Sequence, residues 1–200
     1  MEVIEATYPG RTLPYSHPRG WFSFEMPATW SVGDPQESIL AVNPGLQEGD
    51  NLDAVVVLTY GKLAEEERGR AVTDLLTSSE PNLRALLAND AIEMKSLRDP
   101  VQHVQIGEIP GAVGIWDATA GEQNALVWVG SIIQDDYYLG VVCVVLSSAE
   151  ARFLPGVKRI YRSLRATPPR RNPEVESALV GASFFHSESY SGGSSHVVYD

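Results

Sequence analysis

Residues 124–164 read NALVWVGSIIQDDYYLGVVCVVLSSAEARFLPGVKRIYRSL, and their pattern decides the fold. Leu126, Val127, Trp128, Val129, Ile132 and Ile133 make one apolar run. Tyr137, Tyr138, Leu139, Val141, Val142, Val144 and Val145 make another. Such residues fit a pleated surface, and near-continuous apolar runs suggest strands covered on both faces. Gln134-Asp135-Asp136 is the only polar break, and Asp favours turns by bonding its own backbone. The economical reading is an antiparallel hairpin whose second strand, around Val142 and Val144, is central and buried. Ser147 or Ser148 then offers an N-cap, with Glu150 in the first turn of a helix. Phe153, Leu154, Val157, Ile160, Tyr161 and Leu164 recur at three- and four-residue steps. Arg152, Lys158, Arg159, Arg162 and Arg165 fill the other face, and positive charge near a helix C-terminus complements the dipole. Pro155-Gly156 interrupts the pattern. Either the helix kinks there or it starts at Pro155, where proline is tolerated.

At 200 residues the chain suits one domain, or one domain with an appendage. Hydrophobic residues at 44% and charged residues at 20% are ordinary for a globular protein. The net charge of −11 disfavours binding to nucleic acid or to an anionic membrane surface. Such acidity is common among soluble bacterial proteins and reads mainly as a solubility device. The single cysteine, Cys143, lies inside the most apolar run, so it reads as a small buried hydrophobe. The first ten residues, MEVIEATYPG, lack a charged n-region and an apolar h-region. No apolar stretch has the length of a membrane-spanning helix. The expectation is a soluble cytoplasmic protein; a chain cut after a leader, and therefore exported, would look the same.

Taken in order, Leu13 and Tyr15 suggest a short edge strand. Phe22, Phe24 and Met26 alternate with Ser23 and Glu25, the mark of a half-buried strand. Pro27 ends it, and Trp30 and Val32 restart it in the same phase. Strands are expected over 38–42 and 54–60. Helices are expected over 62–78 and from Ser78 or Ser79 to Asn89, the second with Leu83, Leu86 and Leu87 inward. Further strands are expected over 92–97, 101–106 and 112–119, punctuated by Asp99-Pro100 and Ile109-Pro110-Gly111. The division is a domain over 1–166, a Pro/Arg linker over 167–173, and an incomplete β hairpin or flexible tail over 174–200. Phe184, Tyr190, Val197 and Tyr199 around Ser191-Gly192-Gly193-Ser194 carry the hairpin reading.

Glycine, an alternating aromatic strand and then Pro-x-x-Trp is the entry pattern of PsbP-like proteins, and here it is Gly20, Phe22, Phe24, Pro27 and Trp30. A two-helix excursion, a meander of long strands and a closing helix ending in Arg162-Ser163-Leu164 follow. Over about residues 13–165 the chain therefore resembles the PsbP-like α/β/α sandwich family. The resemblance implies an α+β fold, an antiparallel sheet flanked by helices. The tail, from Leu179-Val180-Gly181 onward, faintly resembles the first hairpin of a lipocalin-like β domain. A fold hosts many functions, and no functional residue is carried over.

The residues with chemical potential read blandly. His17, His103, His186 and His196 stand in no metal-ligand spacing. His103 is expected to face solvent or to be hydrogen-bonded. His186 and His196 could at most meet across a hairpin as a weak metal site. Asp135-Asp136 reads as turn chemistry, and Glu65-Glu66-Glu67 as a solvated helix start. There is no nucleophile elbow and no phosphate loop. Trp30, Trp116 and Trp128 read as core, with Trp21 as the exposed exception. No catalytic residue, cofactor site or metal site is assigned, and the chain is not expected to be an enzyme. The first expectation is a non-enzymatic interaction or accessory module whose partner is a protein, with no nucleic acid and no membrane insertion. The alternative is a small-ligand carrier with a pocket between sheet and helices. A large apolar cavity would favour the carrier. A broad exposed apolar patch without a pocket would favour the module.

Overall fold

The computed structural model describes residues 8–36, 38–44 and 53–167. The hairpin of 124–164 is its centre. Strands β8 (Gln123–Gln134) and β9 (Tyr137–Leu146) pair antiparallel, and β9 also pairs with β5 (Ala54–Lys62). The sheet continues outward through β4 (Ile39–Asn43) and β3 (Ser31–Val32) on one side. On the other it runs through β7 (Ile109–Ala120) and β6 (Ile92–Ile106). β9 is thus the middle of seven strands, and every residue from Tyr138 to Leu146 is buried. A second, three-stranded sheet has β2 (Phe22–Pro27) between β1 (Thr12–Ser16) and β10 (Arg165–Ala166).

The meander β6–β9 turns three times through two residues. The first turn residue is Gly107, Gly121 or Asp135, with φ of 64°, 58° and 55°. Glycine adopts a left-handed φ freely and Asp tolerates it, so these are the positions where the strands can reverse tightly.

Pleating separates the two faces of the large sheet. The Cβ position of Gly130 lies against Tyr161 in the closing helix α3 (Glu150–Ser163). Tyr138 packs with Ile133 and with Leu75 of helix α1 (Val72–Ser78). Gly130 pairs with Val141, and Ile133 with Tyr138, so the two contacts lie on opposite faces. Helix α3 and the small sheet cover one face. Helices α1 and α2 (Glu80–Ala88) cover β6, β7 and β8 on the other. No helix among the described residues is long and apolar enough to cross a membrane.

Several expectations are corrected. The stretches 92–97 and 101–106 are one strand, because Asp99-Pro100 is absorbed by three register shifts instead of ending it. Pro110 and Gly111 lie within β7, and the turn falls earlier, at Gly107. The residues after Trp30 do not resume β2; the chain crosses to the large sheet between Pro27 and Ser31. Residues 62–78 do not form one helix. Glu65–Glu67 make a single 3-10 turn, and Gly69, with φ of 78°, separates it from α1. Leu86 is exposed, since α2 turns only Leu83 and Leu87 inward. Neither Ser147 nor Ser148 caps α3; both lie in a 3-10 turn ahead of it. The helix also runs through Pro155. Gly156 beside it lets Trp30 and Pro27 approach, since a Cβ there would stand 2.7 Å from the indole. The linker from Pro168 onward and the tail with its hairpin, His186 and His196 lie outside the described residues.

Candidate functional site

The covering of the large sheet is uneven, and the uneven part is the candidate site. On the α1–α2 face, Ala125, Val127, Val129 and Ser131 along the middle of β8 are buried. Residues of β5 on this face follow from the register: Val55 opposite Val144, Val57 opposite Val142, Thr59 opposite Gly140. Ile39 and Ala41 of β4 continue it opposite Thr59 and Val57. The main contacts of α1 and α2 are with β6, β7 and β8, away from that part of the face. Ile39 is 36% exposed and Val55 39%, Ala41 is exposed and Val57 half-buried. The opposite sides of the same strands, Leu40, Val42, Val56 and Leu58, are buried. Four adjoining apolar side chains on two neighbouring strands therefore face outward where a two-faced sheet would normally be covered.

A small recess lies at the aromatic corner where the small sheet meets the ends of β5 and β9. It is bounded by Trp21, Phe22, Tyr60, Gly61, Tyr137, Tyr138, Leu139 and Ala166 and holds about 10 Å³. That is room for a single water, far below the roughly 300 Å³ at which small-molecule sites begin. Trp21 is buried, contrary to expectation. Its ring stacks on His17 at 4.8 Å, Arg19 lies over it at 5.2 Å, and its carbonyl accepts the Thr167 N–H at 2.7 Å. No local pattern signals this, because the stacking partners come together only when the β1–β2 turn closes.

His17 is itself only 4% exposed, and both ring nitrogens are used. Nδ1 accepts the Arg19 backbone N–H at 3.2 Å, so the proton belongs on Nε2, which lies 3.2 Å from the Tyr60 hydroxyl. That hydroxyl donates to the Gln36 carbonyl at 2.7 Å. The network fits a neutral imidazole. Burial lowers the His17 pKa from 6.5, and the Arg19 charge lowers it further. Burial raises Tyr60 to about 12. Below pH 6.5 the unfolded chain takes up a proton that folded His17 resists, so the stability due to this site is lost as pH falls from 6.5 through the lower folded pKa. Denaturation midpoints of the wild type should drop between pH 7 and pH 5 more than those of His17→Asn, whose side-chain oxygen can still accept the Arg19 N–H. Equal drops would contradict the network.

The other residues of chemical interest are dispersed. His103 is exposed on β6, as expected. Asp136 serves its turn, its carbonyl accepting the Leu63 N–H at 2.8 Å and its carboxylate lying 3.8 Å from Arg68. Glu65 and Glu66 are exposed, whereas Glu67 is buried and accepts the Ala64 N–H at 3.0 Å. Cys143 is fully buried between Val56 and Trp128 in the register, and burial raises its thiol pKa. A thiol reagent should label it slowly in the native protein and fast in denaturant; fast native labelling would contradict this placement. Among the described residues no three His, Cys, Asp or Glu side chains are grouped to hold a metal.

Comparison with known proteins supports the architecture. No family model and no curated protein matches the chain by sequence. Solved structures do match by shape. The solution structure of cyanobacterial PsbP (CyanoP) from Synechocystis sp. PCC 6803 superposes with a TM-score of 0.57 at 9% identity, over 82% of this chain and 98% of that one. A crystal structure from Bacteroides thetaiotaomicron gives 0.53 at 14% identity, over 79% of this chain. This chain spans 49% of that protein's length. The chain has the PsbP-like fold, an α+β arrangement of antiparallel sheets with three α-helices among the described residues.

Proposed function

We propose that this chain is a non-enzymatic interaction module that binds a protein through the uncovered strip of β4 and β5. One observation carries the reading: Ile39, Ala41, Val55 and Val57 adjoin one another and face outward from strands whose reverse sides are fully packed. Scattered surface apolar residues need no explanation, but a contiguous patch points to contact with a partner. The small-ligand carrier is disfavoured by the water-sized recess at Trp21 and Tyr60. A net charge of −11 argues against nucleic acid as the partner. No catalytic, cofactor or metal role is assigned to any residue in this reading.

The test compares capture from a lysate of the native host by three proteins. They are the wild type, the double variant Ile39→Asp/Val55→Asp, and the control Leu86→Asp. Leu86 is an exposed apolar residue on α2, away from the strip. The wild type and the control should retain the same partner, and the strip variant should lose it by about tenfold or more, the scale for removing apolar anchors. Identical capture by all three would contradict the assignment.

A further inference from the structure

β6 is an outer strand of the seven-stranded sheet, and its two halves treat the free edge differently. Between Met94 and Gln102 three register shifts disturb its ladder with β7, and Lys95, Arg98, Asp99 and Pro100 occupy the stretch. Bulges, charges and proline are devices that keep an edge from pairing. Beyond them the ladder is regular from Gln102↔Val113 to Ile106↔Ile109. There Val101–Ile106 reads VQHVQI, without proline and without formal charge at neutral pH. Short, uncharged segments of high β-propensity are those that accept another strand.

Pro110 fixes which backbone groups face out. It lies opposite Gln105 and has no N–H, which identifies that pair as non-hydrogen-bonded. Alternation then directs the N–H and C=O of Gln102, Val104 and Ile106 toward β7, and those of His103 and Gln105 outward. Among the described residues, no hydrogen bond reaches these outward groups. Both residues are exposed.

We propose that a second copy of this chain pairs antiparallel along Val101–Ile106, joining two sheets across a two-fold axis at Val104. The segment's self-complementarity selects this partner. Outward-facing residues must meet outward-facing residues, so the axis falls on a residue and not between two. Centred on Val104, the register sets Val104 against Val104 and His103 against Gln105 on both sides. Val104 is half-buried on the α3 face, where its methyl groups adjoin Gly111, and it gains an apolar neighbour. Centred on His103, the register would oppose two imidazoles and set Gln102 against Val104 and Val101 against Gln105, polar against apolar. In the favoured register Glu108 and Asp99 of the two copies approach at each end, so added salt strengthens the dimer. So short a pairing belongs with small, weak interfaces, and the dimer is concentration-dependent. The edge lies across the sheet from the β4–β5 strip, and the two contacts can coexist.

Sedimentation of the full chain over a range of concentrations, at low and high salt, tests the proposal. Monomer should give way to dimer as concentration rises, and sooner at high salt. Gln105→Pro removes one outward N–H and no bond to β7, so it should abolish dimerisation while the melting curve is retained. His103→Lys/Gln105→Lys should do the same by charge if the proline disturbs the strand. Val104→Cys should form an intermolecular disulfide under mild oxidation, since Cβ atoms directly opposite each other lie about 4.5–5.5 Å apart. Gln102→Cys, displaced from its own copy, should not. A protein monomeric at every concentration, a dimer untouched by both edge variants, or equal cross-linking at positions 102 and 104 would overturn the proposal.

Discussion

Val141→Asp should yield no folded protein. Val141 lies on the middle strand of seven, pairs with Leu58 on one side and Gly130 on the other, and is fully buried. A carboxylate there would be surrounded by apolar side chains without a cationic partner. An unpaired buried charge costs several kcal/mol, a large part of the roughly 5–15 kcal/mol that holds a domain together. The contrast is Val55→Asp on the neighbouring strand. It introduces the same charge on the uncovered face and should leave the fold intact, within about 0.5 kcal/mol, as surface substitutions usually do. Circular dichroism and thermal melting of the two variants measure the difference. A Val141→Asp protein melting like the wild type would contradict the sheet order.

The second large effect concerns two glycines under tryptophans. On β8 the Trp128 indole lies across Gly130, and a Cβ added there would meet the ring Cη2 at 2.5 Å and Tyr161 Cδ2 at 2.7 Å. On β7 and the opposite face, Trp116 lies across Gly114, where an added Cβ would collide with its Cη2. Trp128 also meets Tyr161 edge-on at 5.3 Å, and the Tyr161 hydroxyl donates to the Ser131 carbonyl at 2.9 Å. The tryptophan, the glycine and the closing helix thus form one packed unit. Gly130→Ala and Gly114→Ala should each cost about 1–3 kcal/mol, the usual penalty for overpacking a filled core. For a domain of this size that lowers Tm by roughly 2–4 °C per kcal/mol. In a double-mutant cycle, Trp128→Leu should relieve part of the cost of Gly130→Ala, because the colliding ring is gone. Additive effects would show that the ring is not the obstacle.

The central hairpin and the closing helix were legible because their residues carry the signal alone: branched apolar runs, one acidic break, and a three-four apolar repeat. The entry pattern from Gly20 to Trp30 was legible for the same reason, and the PsbP-like architecture follows from the order of these elements. The errors fall where local signals mislead. Asp99-Pro100 reads as a strand end, yet an edge strand absorbs proline in a bulge because its outer N–H has no partner to lose. Ile109-Pro110-Gly111 reads as a turn, whereas the reversal belongs to Gly107-Glu108. The steps from Gly107 to Gly121 to Asp135 are equal, and that spacing was a usable sign of a meander with matched strands. Trp21 reads as exposed in the sequence because its covering residues, His17, Arg19 and Thr167, are assembled only by the folded chain. The candidate strip could not be found from sequence at all. Val55 and Val57 look like their buried neighbours Val56 and Leu58, and only the placement of α1 and α2 over β6–β8 leaves one set uncovered.

A photo-activatable amino acid at position 55, irradiated in the native host, reports whether a protein covers the strip. It sits in the middle of the uncovered strip, and a probe at Asn89, an exposed position beyond α2, serves as the reference. A discrete protein adduct is expected at position 55, absent at position 89 and lost when Ile39→Asp is added. The same faint, diffuse products at both positions, unchanged by Ile39→Asp, would contradict it.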